Sequence, residues 1–189
     1  MTAFALVGLP GSGKSAVGRR LAGKLNLPFI DSDTVIEQRI GCSIREFFER
    51  EGEARFRDIE EEVIAGLARA GGAVVATGGG AVLRPANRQQ LHGHFHVIYL
   101  RSTPEDLYRR LRHDVKRPLL QVADPLARLR ELHAARDPLY RETAHEALDT
   151  GRPSLGAVVH AILAQLEARG HLVPEADAAR QVPAAPSGR

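Results

Sequence analysis

The chain has 189 residues and a mass of 20.6 kDa, enough for one α/β domain and short for two. Hydrophobic residues at 43% and charged residues at 26% exclude disorder over the whole length, and no apolar run approaches the ~20 residues needed to cross a bilayer. The net charge is +3 with a pI of 9.4; Lys14, Lys24 and Lys116 are the only lysines, the basic residues are interleaved with acids and tryptophan is absent, which argues against nucleic acid and favours anionic small molecules as ligands.

The opening Met1 to Gly8 lacks a basic n-region and enters a glycine motif directly, so no secretory leader is expected. Ala3 to Val7 reads as a buried parallel strand. Gly8-Leu9-Pro10-Gly11-Ser12-Gly13-Lys14-Ser15 follows and fits G-x-x-x-x-G-K-[ST] between a strand and a helix. Its backbone N–H groups can cradle phosphate oxygens, Lys14 supplies a charge to the β- and γ-phosphates, and the Ser15 hydroxyl suits Mg²⁺. Val17, Leu21 and Leu25 form the apolar stripe of the helix. The motif specifies a nucleoside triphosphate and leaves the acceptor open.

A second strand, Leu27 to Ile30, ends in Asp31-Ser32-Asp33. One aspartate could hold Mg²⁺ through water while the other accepts a hydrogen bond from an acceptor hydroxyl; a turn that uses both for local backbone bonds is the plainer alternative. From Thr34 to Arg57 the polar chain carries Ile36, Ile40, Ile44, Phe47 and Phe48, which predicts short helices in a lobe beside the sheet. Cys42, the single cysteine, excludes an intrachain disulfide and fits a reducing cytoplasm. On composition, Glu53 to Arg57 with Glu60 reads as a solvated helix face laced with ion pairs. Ile59, Val63, Ile64 and Leu67 continue a helix that Gly71-Gly72 should stop.

Ala73 to Ala76 is the third predicted strand, followed by Thr77-Gly78-Gly79-Gly80, where three glycines permit either close approach of a ligand or simple flexibility. His92, His94 and His96 alternate across a helix end and a strand start and read as incidental surface histidines rather than a metal site. Val97 to Leu100 is the fourth strand, and Thr103 caps a helix opened by Pro104. Residues 113 to 124 read as a mobile loop in which Arg117 could be solvated or could meet phosphate; Arg136 is equally ambiguous. A helix resumes at Leu126, Leu129 and Leu132. Ala147-Leu148-Asp149 suggests a fifth strand, and Ser154 caps a last helix that Gly170 ends. The proline- and alanine-rich residues 174 to 189 are expected to be disordered. Alternating strands and helices imply a doubly wrapped parallel sheet with ligands at the carboxyl ends of its strands.

Taken together, six elements in order resemble shikimate kinase to about residue 166. They are Gly8 to Ser15, Asp31-Ser32-Asp33, Phe56-Arg57 with Glu60, Gly78-Gly79-Gly80, Arg117-Pro118-Leu119-Leu120, and Arg136-Asp137-Pro138-Leu139-Tyr140. The resemblance implies a P-loop, nucleoside-monophosphate-kinase-like α/β/α fold with a five-stranded parallel sheet. It implies one kinase domain over residues 1–170, with a substrate lobe at about 33–60 and a lid at about 112–124, and a disordered tail over 171–189.

The implied reaction is ATP-dependent phosphorylation of the shikimate 3-hydroxyl, with Mg²⁺ as cofactor. ATP would meet Gly11, Ser12, Gly13, Lys14, Ser15, Ala16, Arg110, Arg117 and Pro153, and the metal Ser15 and Asp31. Asp33, Arg57, Gly78, Gly79, Gly80 and Arg136 would hold shikimate, with Lys14, Asp33 and Arg117 catalytic. Glu60 would steady Arg57, whereas Asp137 could weaken the positive field of Arg136. A monomeric cytoplasmic enzyme with no nucleic-acid or membrane partner is expected. Rival readings are a small-molecule kinase with another acceptor, and a nucleotide switch, for which the guanine-reading motif N-K-x-D is missing.

Overall fold

A computed structural model describes residues 3–112, 122–151 and 154–171. In chain order the elements are β1 (Phe4–Val7), α1 (Lys14–Leu25), β2 (Phe29–Asp31), α2 (Ser32–Ile40), α3 (Ile44–Ala70), β3 (Val74–Ala76), α4 (Pro85–His94), β4 (His96–Arg101), α5 (Pro104–Leu111), α6 (Pro125–Thr143), β5 (Glu146–Asp149) and α7 (Leu155–Ala168). The strands form one parallel sheet in the order β2-β3-β1-β4-β5. The chain thus crosses to one side of β1 to make β2 and β3, then to the other for β4 and β5. Connections that diverge from a central strand open a crevice at its carboxyl end.

Side-chain alternation along the strands sorts the core into two layers. Ala5, Val7, Val75, Val97 and Tyr99 face α3, α4, α5 and α6, whereas Phe4, Leu6, Val74, Ile98 and Leu100 face α1 and α7. Apolar residues on both faces explain why these strands read as continuous hydrophobic runs. Ile36, Phe47, Phe56, Ile59 and Val63 form a third cluster beside the sheet, joining α2 to α3. Helix α3 bends inside this cluster at Gly52, whose φ of 81° is left-handed and breaks the helical ladder. The predicted caps are present: Thr103 accepts from Asp106 N–H and Ser154 from Ala157 N–H.

Two expectations need correction. Strand β2 starts two residues later than Leu27, because Leu27 N–H donates to Ala22 O and closes α1 through left-handed Asn26. The histidines are also not all incidental surface groups. His92 and His94 are exposed, but His96 is buried and bonded to Glu146. Helix end and strand start do send the rings apart, since His94 turns to Gln90 O while His92 stacks on His145 at 4.3 Å.

His145 adds a device the sequence gives no hint of. Its backbone N–H donates to Val97 O at 2.8 Å, and its ring Nδ1 accepts the Val97 N–H at 3.0 Å. One residue therefore completes the β4 ladder just before β5 begins at Glu146. A proton on Nδ1 would face that N–H, and burial together with His92, His96 and His171 pushes the His145 pKa down. The unfolded chain then binds more protons than the folded one, so this contribution is present above the ordinary histidine pKa and is lost as pH falls through and below it. His145→Asn keeps an acceptor near the Nδ1 position without a titrating ring. We expect it to flatten the fall in denaturation midpoint between pH 7 and pH 5; an unchanged slope in denaturant titrations at these pH values would remove His145 as the cause.

Candidate active site

The ends of β1, β2 and β3 meet α1 and α2 around a cavity of about 460 Å³. Of the residues expected in the site, Gly11, Gly13, Lys14, Ser15, Ala16, Asp31, Asp33 and Gly79 line it together. Gly13 takes the position before α1 without a side-chain cap, and the first turn of α1 carries no acid. With no side chain capping that turn, the positive end of the helix dipole faces the cavity and suits an anion. Lys14 is buried and its Nζ donates to Gly8 O at 2.8 Å and Leu9 O at 2.9 Å, lying across the loop it belongs to. Ser12 Oγ is buried with no hydrogen-bond partner among the described residues.

The two aspartates occupy distinct positions because β2 stops at Asp31 and α2 starts at once. Asp31 Oδ2 accepts from Ser15 Oγ at 2.8 Å while Oδ1 accepts from Asp33 N–H at 3.1 Å, so one carboxylate caps α2 and fixes the Ser15 hydroxyl. The local-turn and ligand readings of this pair are compatible, since the cap leaves hard oxygen donors in the cavity. Asp33 has a different environment: burial, then Asp31 and Glu60, raise its pKa to about 6, against the opposing pull of Lys14.

The glycine triplet owes its composition to these neighbours. A Cβ on Gly78 would lie 2.6 Å from Asp33 Oδ1, and one on Gly80 would fall on the Arg57 guanidinium. The turn is also fixed by hydrogen bonds: Gly78 N–H donates to Ser32 Oγ, Ala81 N–H to Gly78 O, Leu83 N–H to Gly80 O, and Tyr140 OH to Gly79 O. Among the described residues, the N–H groups of Gly79 and Gly80 carry no hydrogen bond. They remain as donors beside the cavity.

Arg57 is not on a solvated face. Its side chain is 12% exposed and pairs with Glu60 at 2.6 Å and Glu53 at 3.1 Å, Glu60 being 1% exposed. Burial raises the Glu60 pKa and Arg57 opposes that shift first among its neighbours. Arg136 reaches the same region from α6, where its charge acts on Glu60 and on Tyr140. Among the described residues no carboxylate forms a salt bridge with it. The concern over Asp137 is resolved by geometry: its carboxylate turns to Tyr99 OH at 2.8 Å and Arg141 at 2.7 Å.

Arg110 lies apart on α5, donating to Gly151 O at 3.2 Å. Arg117, Pro153 and most of the expected lid lie outside the described residues, as does the tail from residue 172. Sequence reasoning missed Thr77, Leu111 and Pro10 as lining residues. Pro10 and Leu111 meet the glycines from other segments: Leu111 packs on Gly11 and Pro10 on Gly79, contacts no local pattern announces.

A phosphate-binding loop, a metal-suited hydroxyl–carboxylate pair, a raised carboxyl and arginines on the far side define a P-loop kinase of small molecules. A family profile described as shikimate kinase matches residues 10–167. Shikimate kinase from Paracidovorax citrulli is 60% identical over 168 residues, 87% of this chain and 92% of that one. The enzyme of Ralstonia nicotianae is 56% identical over 170 residues, 90% of each chain. The solved shikimate kinase of Acinetobacter baumannii, in complex with shikimate, superposes with a TM-score of 0.84 at 41% identity, covering 92% of this chain and 96% of its own. The chain belongs to the shikimate kinase family.

The raised Asp33 pKa has a thermodynamic consequence. Its folded value lies above the unfolded one, so the carboxyl does not oppose folding below the ordinary aspartate pKa of 3.8, and increasingly opposes it as pH rises through about 6. Asp33→Asn should therefore raise stability at pH 7.5 by about 1–3 kcal/mol, with the gain gone at pH 4. Urea titrations at the two pH values test this, and a variant less stable at pH 7.5 would show that the carboxylate is compensated in the fold.

Proposed function

We propose that the chain transfers the γ-phosphoryl group of ATP to the 3-hydroxyl of shikimate, through the residues just described. The observation that carries this reading is the order of groups: a cavity lined by the phosphate loop, Asp31, Asp33 and Gly79, with Gly80, the Arg57 guanidinium packed against it and the Arg136 charge next to Glu60 beyond that turn. An acid bearing ring hydroxyls suits that far end, since planar guanidinium groups grip a carboxylate with fixed orientation and backbone donors take hydroxyls. The relatives' names point to the same acceptor.

In this reading Gly11 to Ala16 and Lys14 bind the triphosphate, and Ser15 with Asp31 hold Mg²⁺, whose preference for hard oxygen ligands their 2.8 Å contact suits. The metal, when bound, neutralises charge on the phosphate oxygens. Asp33 accepts the hydrogen bond of the attacking hydroxyl, and its raised pKa makes it a better proton acceptor than an ordinary carboxylate. Arg57 and Arg136 clamp the carboxylate, Gly79 and Gly80 meet the hydroxyls, and Gly78 leaves room for Asp33. Phosphoryl transfer depends on placement and charge more than on covalent help, and these residues supply both. Arg117 from a lid, and Arg110 with Pro153 beside the adenine, complete the proposal on the strength of the resemblance. So do the assignment of residues 33–60 as the acceptor lobe, a monomeric state and a cytoplasmic location.

Arg57→Ala is a poor probe, because it strands Glu60 as a buried unpaired carboxylate and costs stability as well as binding. Arg136→Ala avoids that. In a coupled ATP assay it should raise KM for shikimate by about tenfold or more, lower kcat, and leave KM for ATP near the parent value. Lys14→Ala should abolish turnover in a folded protein, and Asp33→Asn should lower kcat about 10²–10⁴-fold. ATP consumption that does not depend on added shikimate, or an Arg136→Ala enzyme with parental shikimate KM, would defeat the assignment.

A further inference from the structure

Tyr140 lies one helical turn after Arg136 on α6 and is wholly buried. Its hydroxyl donates to Gly79 O at 2.5 Å, a contact between residues 61 apart in sequence. Burial pushes the Tyr140 pKa up to about 12, and the positive charges of Arg136, one turn earlier on the same helix, and of Arg57 oppose that push. The hydroxyl is therefore a proton donor at any working pH. Its one hydrogen goes to Gly79 O, so the bond ties α6 to the glycine turn.

The ring is held as firmly as the hydroxyl. It packs against Tyr99 with ring centroids 5.0 Å apart, and Tyr99 is itself 1% exposed on β4. The Tyr99 hydroxyl bonds Asp137, whose carboxylate Arg141 holds independently at 2.7 Å. Gly79 O in turn belongs to the triplet whose Gly79 and Gly80 N–H groups remain available beside the cavity. A site whose supporting backbone is fixed before binding has less ordering cost to meet when it grips a ligand.

We propose that Tyr140 is a positioning residue that joins the turn of α6 carrying Arg136 to the glycine turn, so that the carboxylate-binding and hydroxyl-binding parts of the acceptor subsite keep a fixed separation. It touches neither substrate. The inference rests on the reading that Arg136 meets the acceptor's carboxylate.

The test is a double-mutant cycle with Tyr140→Phe and Arg136→Ala, measuring kcat and KM for shikimate and for ATP separately, well below the melting temperatures. Tyr140→Phe keeps the ring and its packing and removes only the hydroxyl. Its KM for shikimate should rise about tenfold while KM for ATP stays within twofold. In the Arg136→Ala background the same change should add less than twofold, because the group it positions is gone. Tyr99→Phe removes an equally buried hydroxyl from the same helix interface and should leave shikimate KM at the parent value.

If Arg136→Ala raises shikimate KM and Tyr140→Phe does not, the positioning role is wrong and the clamp survives. If Arg136→Ala itself has no effect on shikimate KM, the clamp reading fails first. Equal loss in Tyr140→Phe and Tyr99→Phe, or additive effects in the cycle, would assign Tyr140 to helix packing alone. Should Tyr140→Phe prove too unstable, Arg136→Lys supplies the second arm. Lysine keeps the charge but not the planar fork whose orientation depends on a fixed helix turn, so it should raise shikimate KM towards the Arg136→Ala value; parental KM would overturn the proposal.

Discussion

Glu60 is a carboxylate almost entirely removed from water, and such a group costs several kcal/mol unless a cation stays beside it. Arg57 meets that need at 2.6 Å, and much of the site's construction follows from keeping the pair together. The guanidinium fills the space a side chain at residue 80 would take, so anything larger than Gly80 would push Arg57 away from its place beside Glu60. Glu60 in turn helps to raise the Asp33 pKa and acts electrostatically on Arg136. A single buried ion pair thus ties together the lobe helix, the glycine turn and the carboxyl at the centre of the cavity. Its net contribution to stability is small or unfavourable; its value lies in holding positive charge in a fixed place.

The opposite end of the cavity is built on another principle. There the groups aimed at ligand are mostly backbone, supplied by a loop and the start of α1, and little charge has to be buried to create the site. Lys14 is the exception, and carbonyls of its own loop solvate it. Asp33 stands between a region prepared for anionic phosphates and a region prepared for a carboxylate. Lys14 pulls its pKa down, yet burial and two acidic neighbours dominate its titration.

How much of this the sequence carries depends on whether a contact is local. The phosphate loop, the strand–helix alternation, and the caps at Thr103 and Ser154 are legible because the interactions span a few residues. Arg57 is not legible in that way: its spacing from Glu53 and Glu60 is what any solvated helix shows, and only contact with a turn more than twenty residues away makes it buried. The resemblance to a known family supplied the role that periodicity could not. The Tyr140–Gly79 bond, the orientation of Asp137 and the burial of His96 against Glu146 all depend on packing between distant segments. The start of β2 was misjudged for a smaller reason, the closure of α1 over Leu27, which borrows a residue that reads as strand.

The break in α3 at Gly52 bears on how forces pass through the molecule. An uninterrupted helix of 27 residues would be a rod about 40 Å long, and any tilt at one end would be levered to the other. With the hydrogen-bonded ladder broken at Gly52, the eight residues before it, Ile44 to Glu51, are coupled to the stretch that carries Arg57 and Glu60 by side-chain packing, Phe48 against Phe56 at 4.6 Å, and not by a continuous helix. That second stretch has its own anchor, Ile64 and Ala68 in the sheet core. The Arg57–Glu60 pair therefore takes the sheet as its frame of reference, and a tilt of the outer helix reaches it only through a soft contact of aromatic rings.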